Sequence, residues 1–547
     1  MLRRLLCLVS ALGLVACASP PSRPAPVPLR LLAINDFHGR LQAPAEGLLR
    51  PDPAVPGGQI KVAAGGAAHL ATAVRALRND TTLFVAAGDL VGATPLLSAL
   101  FADQPSIESL DLMGLALSAV GNHEFDHGRE HLLWLQNGGC PPRGCAAGQP
   151  PFAGARFQYL AASTLDKATG RPLLPAYAIR RVGGIPVGFI GLSLRATPEL
   201  VAPGGVQGLE FRDEVETINA LVPELRRQGV EALVVLLHEG GFPGGDINDC
   251  PGLSGPVVDI VRRLDPAVDL VISGHTHRAY ICRIDGRLLT SADKYGTLLT
   301  RIDLLLDPET GDVLRADAEN HVVSPEHHAA DPAQLDLIAR YSERAGPRLA
   351  QPLGTLATPL LRQASAAGES PLGRWVADAQ LAATRAAGAR LALVNPGSLR
   401  GDLLPGDGGQ ITYADLFAAQ PFGNELVTLN LNGAELRALL EQQWLGQPFP
   451  RILQVSAGFG YTWDGRQPPG QRVLADSLRL DGEALAPEQE VRLTVNRFLA
   501  EGGDLFTLLR QGRARQVGGG DVAALEAGLG LLPTPAAARI RRLDQEE

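Results

Sequence analysis

Leu117-Ser118-Ala119-Val120-Gly121-Asn122-His123-Glu124-Phe125-Asp126 is the stretch on which the fold turns. Its first half is short and apolar, the pattern of a buried strand, and it passes through a glycine into an amide, an imidazole and carboxylates. The same plan recurs four times. Leu29–Asn35 ends in Asn35-Asp36-Phe37-His38, Thr82–Gly88 in Gly88-Asp89, Ala232–Leu237 in His238-Glu239, and Val268–Ser273 in Gly274-His275-Thr276-His277. Phe157–Ala162 and Val187–Leu192 read as two more buried strands. Helical patterns lie between them: Ala67–Arg78 sets Leu70, Val74 and Leu77 on one face, and Asp213–Arg227 does the same with Val215, Ile218, Leu221, Val222 and Leu225. Strands alternating with helices predict an α/β layer structure. A sheet that aligns these five strand ends gathers metal-ligand side chains at its carboxyl edge, where such folds bind ligands.

The pattern breaks at Ser324-Pro-Glu-His-His-Ala-Ala-Asp-Pro-Ala, and a connector helix is predicted from Ala333 to Ala350. Beyond Leu353, helices at Leu372–Ala387 and Gly433–Leu445 mix with strands at Leu391–Asn395, Leu426–Leu431 and Glu490–Asn496, an α+β pattern. The chain of 547 residues is long enough for several domains. With 45% hydrophobic and 20% charged residues it reads as globular. Its 49 basic and 58 acidic residues give a formal charge of −9, and it has no dense Lys/Arg run, so binding to a nucleic-acid polymer is not expected.

Met1-Leu2-Arg3-Arg4 followed by an apolar run of 12 residues, Leu5 to Ala16, reads as a signal peptide, too short to span a bilayer. The run ends Leu14-Val15-Ala16-Cys17, which resembles the lipobox of bacterial lipoproteins and implies lipidation of Cys17. Residues 18–28 hold five prolines, a tether of about 35 Å in polyproline geometry. The expected product is exported and lipid-anchored, at the outer membrane facing the periplasm. Cys140, Cys145, Cys250 and Cys282 remain, an even number that favours pairing in an exported protein. Cys140 with Cys145 would close a tight loop and leave Cys250 with Cys282, although four cysteines permit three connectivities.

The five motifs, taken in order, resemble those of the calcineurin-like dinuclear metallophosphoesterases and, among these, the 5′-nucleotidases. The resemblance implies an N-terminal metallophosphoesterase β-sandwich flanked by helices, a connector helix and a smaller α+β substrate-binding domain. The corresponding boundaries are 1–17, 18–28, 29–325, 326–352 and 353–547. It implies that Asp36, His38 and His277 hold one metal, that Asn122, His238 and His275 hold the other, and that Asp89 bridges both. His123 and Asp126 are then the catalytic dyad. Glu124 and His127 are local alternatives, expected to make structural hydrogen bonds. At the position of His277 many 5′-nucleotidases carry an amide.

In the second half, Asn395-Pro-Gly-Ser-Leu-Arg400, Gln420-Pro-Phe-Gly-Asn424 and Asn496-Arg-Phe-Leu-Ala-Glu-Gly-Gly-Asp504 match motifs of the 5′-nucleotidase C-terminal domain. The resemblance implies that Phe422 and Phe498 sandwich a nucleobase and that Asp504 accepts from ribose hydroxyls. It places Arg400 and Asn395 near the phosphate and Asn424 at the base. One departure is Ala366, where relatives carry a further phosphate-facing arginine ahead of Glu369; Arg362 and Arg374 are the candidate replacements.

A phosphomonoester is anionic and repels hydroxide. Two divalent ions about 3.5–4 Å apart lower the pKa of a bridging water and neutralise the phosphoryl oxygens, allowing in-line attack of metal-bound hydroxide. The mixed N/O ligand set suits zinc, manganese, iron or cobalt. The expected function is extracytoplasmic hydrolysis of nucleoside 5′-monophosphates to nucleoside and phosphate. A 2′,3′-cyclic-nucleotide phosphodiesterase/3′-nucleotidase, a UDP-sugar hydrolase and a thiosulfate-ester hydrolase are alternatives in the same family, and a non-catalytic nucleotide- or host-binding lipoprotein is one outside it.

Overall fold

A computed structural model describes residues 23–55, 57–141, 144, 151–530 and 538–545. The expected signal peptide, Cys17 and Cys145 lie outside the described residues.

Two six-stranded sheets build the first half. One runs in the order Val313–Val322, Leu298–Leu306, Val27–Ile34, Thr82–Ala86, Leu115–Ala119, Gln158–Leu160. The other runs Ala279–Ile284, Arg287–Ala292, Val268–Ser273, Ala232–His238, Ile185–Ser193, Tyr177–Val182. Alternation along each strand decides what faces what. Leu29, Leu31 and Ala33 meet Val234, Leu236, Leu270 and Ile272 in one core between the sheets. Leu32 and Ile34 point the other way, into a core with Leu70, Val74, Ile107 and Leu110 from the helices Ala67–Leu77 and Gln104–Met113. On the outer face of the second sheet, Leu233 and Val235 pack with Ile218, Val222 and Leu225 of the helix Glu214–Arg227. The result is a four-layer α/β/β/α sandwich, and each fully buried Leu, Ile or Val in it contributes roughly 1.5–3 kcal/mol. A disulfide joins Cys250 to Cys282 with their Cα atoms 5.4 Å apart.

All seven strands predicted in this half form. The pairs Val27–Ile34 with Thr82–Ala86, Thr82–Ala86 with Leu115–Ala119, and Ala232–His238 with Val268–Ser273 are parallel. Their carboxyl ends therefore open on one edge, as the motifs require.

The helix predicted to end at Ala350 spans Pro332–Ala345. Gly346, at φ 65°, followed by Pro347, stops it. This helix is built into the first half. Leu337 and Tyr341 join the core of the first sheet, Ser109 Oγ donates to Gln334 Oε1 over 2.7 Å, and Gln334 Nε2 donates back to Ser109 O over 2.9 Å. The second half is centred on a five-stranded sheet in the order Gln454–Val455, Leu391–Val394, Glu490–Asn496, Glu425–Asn432, Arg513–Gly520. The helix Pro371–Thr384, capped by Ser370 Oγ, covers one face through Trp375 and Val376, and Gly433–Glu441 packs Leu436, Leu439 and Leu440 against the strands.

Candidate functional site

Each motif leaves its strand through a tight turn, and the turns are strained in a common way. Asp36, His38, Asp89, His275 and His277 all take positive φ, between 47° and 70°. Such backbone costs about 1–3 kcal/mol per residue and persists where surroundings over-determine it, typically at functional sites. Glycine makes room beside them: a Cβ on Gly121 would come within 2.2 Å of Asp89 Oδ1, and one on Gly88 within 2.8 Å of His238 Nδ1.

The side chains converge. His38 Nε2 lies 3.2 Å from His277 Nε2, and His277 Nε2 lies 3.3 Å from Asp36 Oδ1. His238 Nε2 lies 3.1 Å from Asp89 Oδ2 and 3.2 Å from Asn122 Oδ1. Asp89 Oδ2 is 3.6 Å from His38 Nε2, so this carboxylate stands between the two groups. Asp36, His38 and His277 form one donor cluster and Asp89, His238 and His275 another, with every ligand atom of a cluster within 4.8 Å of the rest.

Polar groups behind the ligands aim them. His38 donates its Nδ1–H to Gly92 O over 2.8 Å, and His238 donates Nδ1–H to Ala87 O over 2.8 Å, so both present Nε2 inward. Asn35 Nδ2 donates to Asp36 Oδ2 over 2.7 Å while its Oδ1 accepts from the Ala292 N–H, and the His275 N–H also reaches Asp36 Oδ2. Inward-facing imidazole nitrogens beside carboxylate and amide oxygens make a mixed N/O donor set that a divalent cation takes once the imidazoles are deprotonated. The donor set thus fits two such ions. Burial pushes the Asp36 carboxyl up to about 7 and His275 down to about 3. Burial opposes charge on His238 too, but Asp89 outweighs it and lifts the imidazole to about 10.

His123 donates Nδ1–H to Asp126 Oδ2 over 2.8 Å, and its backbone N–H binds Asp89 Oδ1 over 2.9 Å. Burial lowers the affinity of His123 for a proton, but Asp126 and Asp89 outweigh it and the net shift is upward. Glu124 makes the structural bonds expected of it: it accepts backbone N–H bonds from Asp89, Leu90 and Gly121 and so holds two of the motif turns together. His127 is exposed and packs edge-on against His131 at 5.1 Å.

The second half closes over this cluster. Arg400 Nη2 donates to His38 Nε2 over 3.1 Å, and the Phe422 ring stacks near His123 at 6.1 Å with 29° between planes. Phe498 lies against Gly503, where a Cβ would come within 2.4 Å of its ring. Asp504 is gripped on both oxygens, by Asn395 Nδ2 at 2.7 Å and by Arg451 Nη1 at 2.9 Å. Asn395, expected near the phosphate, is tied to Asp504 and to Asn496 Nδ2. Asn424 accepts the Asp521 N–H through its backbone carbonyl over 2.8 Å. Of the two candidate arginines, Arg374 faces Glu369 at 3.8 Å, whereas Arg362 adds to the effect of burial and of Lys294 and Arg400 in lowering the His277 imidazole. Sequence reasoning passed over Arg451, 7% exposed, whose charge also bears on His275. No motif surrounds it, and only its place across the cleft marks it.

Residues 29–279 match the family model described as calcineurin-like phosphoesterase, and residues 352–511 match that of the 5′-nucleotidase C-terminal domain. A protein named endonuclease YhcR from Bacillus subtilis is 33% identical over 476 residues, 87% of this chain and 37% of that one. A cell wall protein of Listeria monocytogenes is 30% identical, with 64% of its length spanned. A protein named probable 5′-nucleotidase from Treponema pallidum is 26% identical over 91% of this chain and 90% of its own. The crystal structure of a 5′-nucleotidase precursor from Thermus thermophilus superposes with a TM-score of 0.77 at 27% identity, covering 95% of this chain and all of that one. The motifs, the two matched domains in this order and the shared architecture lead to one assignment: the chain belongs to the 5′-nucleotidase family, a calcineurin-like phosphoesterase domain followed by a 5′-nucleotidase C-terminal domain.

Proposed function

We propose that the protein is a metal-dependent phosphoric monoester hydrolase that releases phosphate from nucleoside 5′-monophosphates. The observation that carries this reading is the convergence of seven ligand side chains beside a His123–Asp126 pair, with Phe422 stacked next to His123. Asp36, His38 and His277 would hold one divalent ion, Asn122, His238 and His275 the other, and Asp89 both. When bound, such ions supply hydroxide near neutral pH and neutralise phosphoryl charge.

The chain's own groups do the rest. Arg400 points its guanidinium at the edge of His38 and positions phosphoryl oxygens by bidentate contact. His123, held in one tautomer by Asp126, offers Nε2–H to the phosphoryl group or the leaving oxygen. Phe422 and Phe498 hold the base by stacking, worth roughly 1–3 kcal/mol for each ring and tolerant of base identity. Asp504, preset by Asn395 and Arg451, keeps lone pairs free for ribose hydroxyls.

The leader sequence and the Cys250–Cys282 bridge support an exported protein in an oxidising compartment, held by lipid at Cys17. The deciding assay measures phosphate release from AMP, UMP, 2′,3′-cyclic AMP and UDP-glucose with added manganese or zinc and an EDTA control. AMP and UMP are expected to react, and EDTA to abolish turnover; no release from any substrate ends the hydrolase reading.

A further inference from the structure

Asp504 is held from three sides, and two of the three supports stand on one loop. Asp504 and Leu505 both take positive φ, 54° and 65°, so the turn that presents the carboxylate needs help from its surroundings. Residues 446–451, between the helix Gly433–Glu441 and the strand Gln454–Val455, give it. Gln447 Nε2 donates to Asp504 O over 2.7 Å, and Arg451 Nη1 donates to Asp504 Oδ1 over 2.9 Å. Asn395 Nδ2 holds the other carboxylate oxygen, Oδ2, from 2.7 Å. The loop is itself seated from the first half. Phe449, with a proline on each side, meets Phe242 edge-on at 5.3 Å, and the Arg451 guanidinium lies 5.1 Å from the Phe449 ring centre.

The count of acceptor positions then decides what the carboxylate can take. Ionised, it has about four lone-pair sites, two on each oxygen. Asn395 and Arg451 each fill one, on different oxygens, which leaves one open position on Oδ1 and one on Oδ2. A carboxylate gripped at one end only would be free to rotate, and its pairing with two separate hydroxyls would go unspecified. Glycine at 397 keeps the approach to Oδ2 clear, since a Cβ there would already stand 3.5 Å from that oxygen. The side chains of Arg451 and Asp504 are 9% and 10% exposed. An acceptor so enclosed, covered by a ligand that lacks the matching hydroxyl, gives up its water without replacement.

We infer that Arg451 is a positioning residue for sugar specificity: by fixing Oδ1 it makes Asp504 a two-point acceptor for a cis-diol, so that the site selects ribonucleotides over their 2′- and 3′-deoxy forms. The inference rests on the proposed function for the class of ligand and on the Asp504 geometry for the selectivity.

The test titrates AMP, 2′-deoxy-AMP and 3′-deoxy-AMP calorimetrically into the full chain freed of metal by dialysis against EDTA and then buffer. The same titrations are run with Arg451→Met and Arg451→Lys. Each deoxy form is expected to bind roughly 10–100-fold more weakly than AMP, as follows from losing one hydrogen bond to a charged acceptor. Arg451→Met should bring both ratios below about threefold, and Arg451→Lys, which keeps a charged donor, should retain most of the discrimination. Equal affinity for the three nucleotides in the unmodified chain, or none for any of them, overturns the inference without any variant having to fold. So does a folded Arg451→Met that binds all three more weakly by one common factor, which is what a merely structural arginine would give. Because binding is read without turnover, diol selectivity in a protein that releases no phosphate from AMP would keep the ribose clamp and discard the hydrolase. AMP hydrolysis without diol selectivity would do the reverse.

Discussion

Arg400 and His38, 362 positions apart in the chain, meet through a 3.1 Å hydrogen bond that joins the two halves at the metal-ligand cluster. The Arg400 Nε is buried without a hydrogen-bond partner among the described residues, so the guanidinium has donor capacity left for a ligand. Arg400→Ala is expected to lower kcat/KM for AMP roughly 10²–10³-fold, as loss of one preorganised donor at a phosphoryl group does, with Arg400→Lys intermediate. Steady-state kinetics check this, and a loss under about threefold removes Arg400 from the phosphate contact.

His123 carries the proton in the proposed chemistry, and Asp126 sets its tautomer from 2.8 Å. His123→Ala should cut kcat about 10²–10⁴-fold while bound metal, measured by elemental analysis, stays at the unmodified level. Asp126→Asn should lose less, because the imidazole remains in place. Near-normal turnover in metal-loaded His123→Ala is the result that contradicts the role.

Glu124 is 1% exposed and takes three backbone N–H groups from the turns that carry Asp89 and Asn122. Removing it orphans those donors, each costing about 1–3 kcal/mol. Glu124→Ala should therefore lower Tm by several degrees and reduce metal content together. A variant of unchanged Tm and unchanged metal stoichiometry would show that the turns hold without it.

Asp521 is fully buried, and burial pushes its carboxyl up from the usual range to about 7. The folded form binds this proton more tightly than the unfolded chain, so the contribution to stability is complete below about pH 4 and is lost as pH rises through 7. Asp521→Asn should consequently gain on the unmodified protein by about 2–4 kcal/mol at pH 8 and gain nothing near pH 4. Denaturant unfolding at the two pH values checks the sign; an equal difference at both would rule the titration out.

The strands of the first half were legible because each is a short apolar run stopped by a glycine and a polar cluster. Val27–Ile34, Ala232–His238 and Val268–Ser273 form within about two residues of expectation. The ligand cluster was legible for the same reason, since parallel strands force their carboxyl ends onto one edge. Arg451 was not. Its bearing on His275 depends on which loop of one half faces which loop of the other, and no local periodicity encodes that. Asn395 was marked by its motif, but its partner was not: its Nδ2 donates to Asp504 Oδ2 from 109 positions away.

The first strand enters at Val27 and delivers Asp36 and His38 at its far end, about 26 Å away at 3.3 Å per residue. Were the protein held to a surface by residues ahead of that strand, its catalytic opening would look outward into the surrounding fluid, with the whole thickness of the sandwich as a spacer. A diffusing solute would then reach it from bulk rather than by squeezing along the surface.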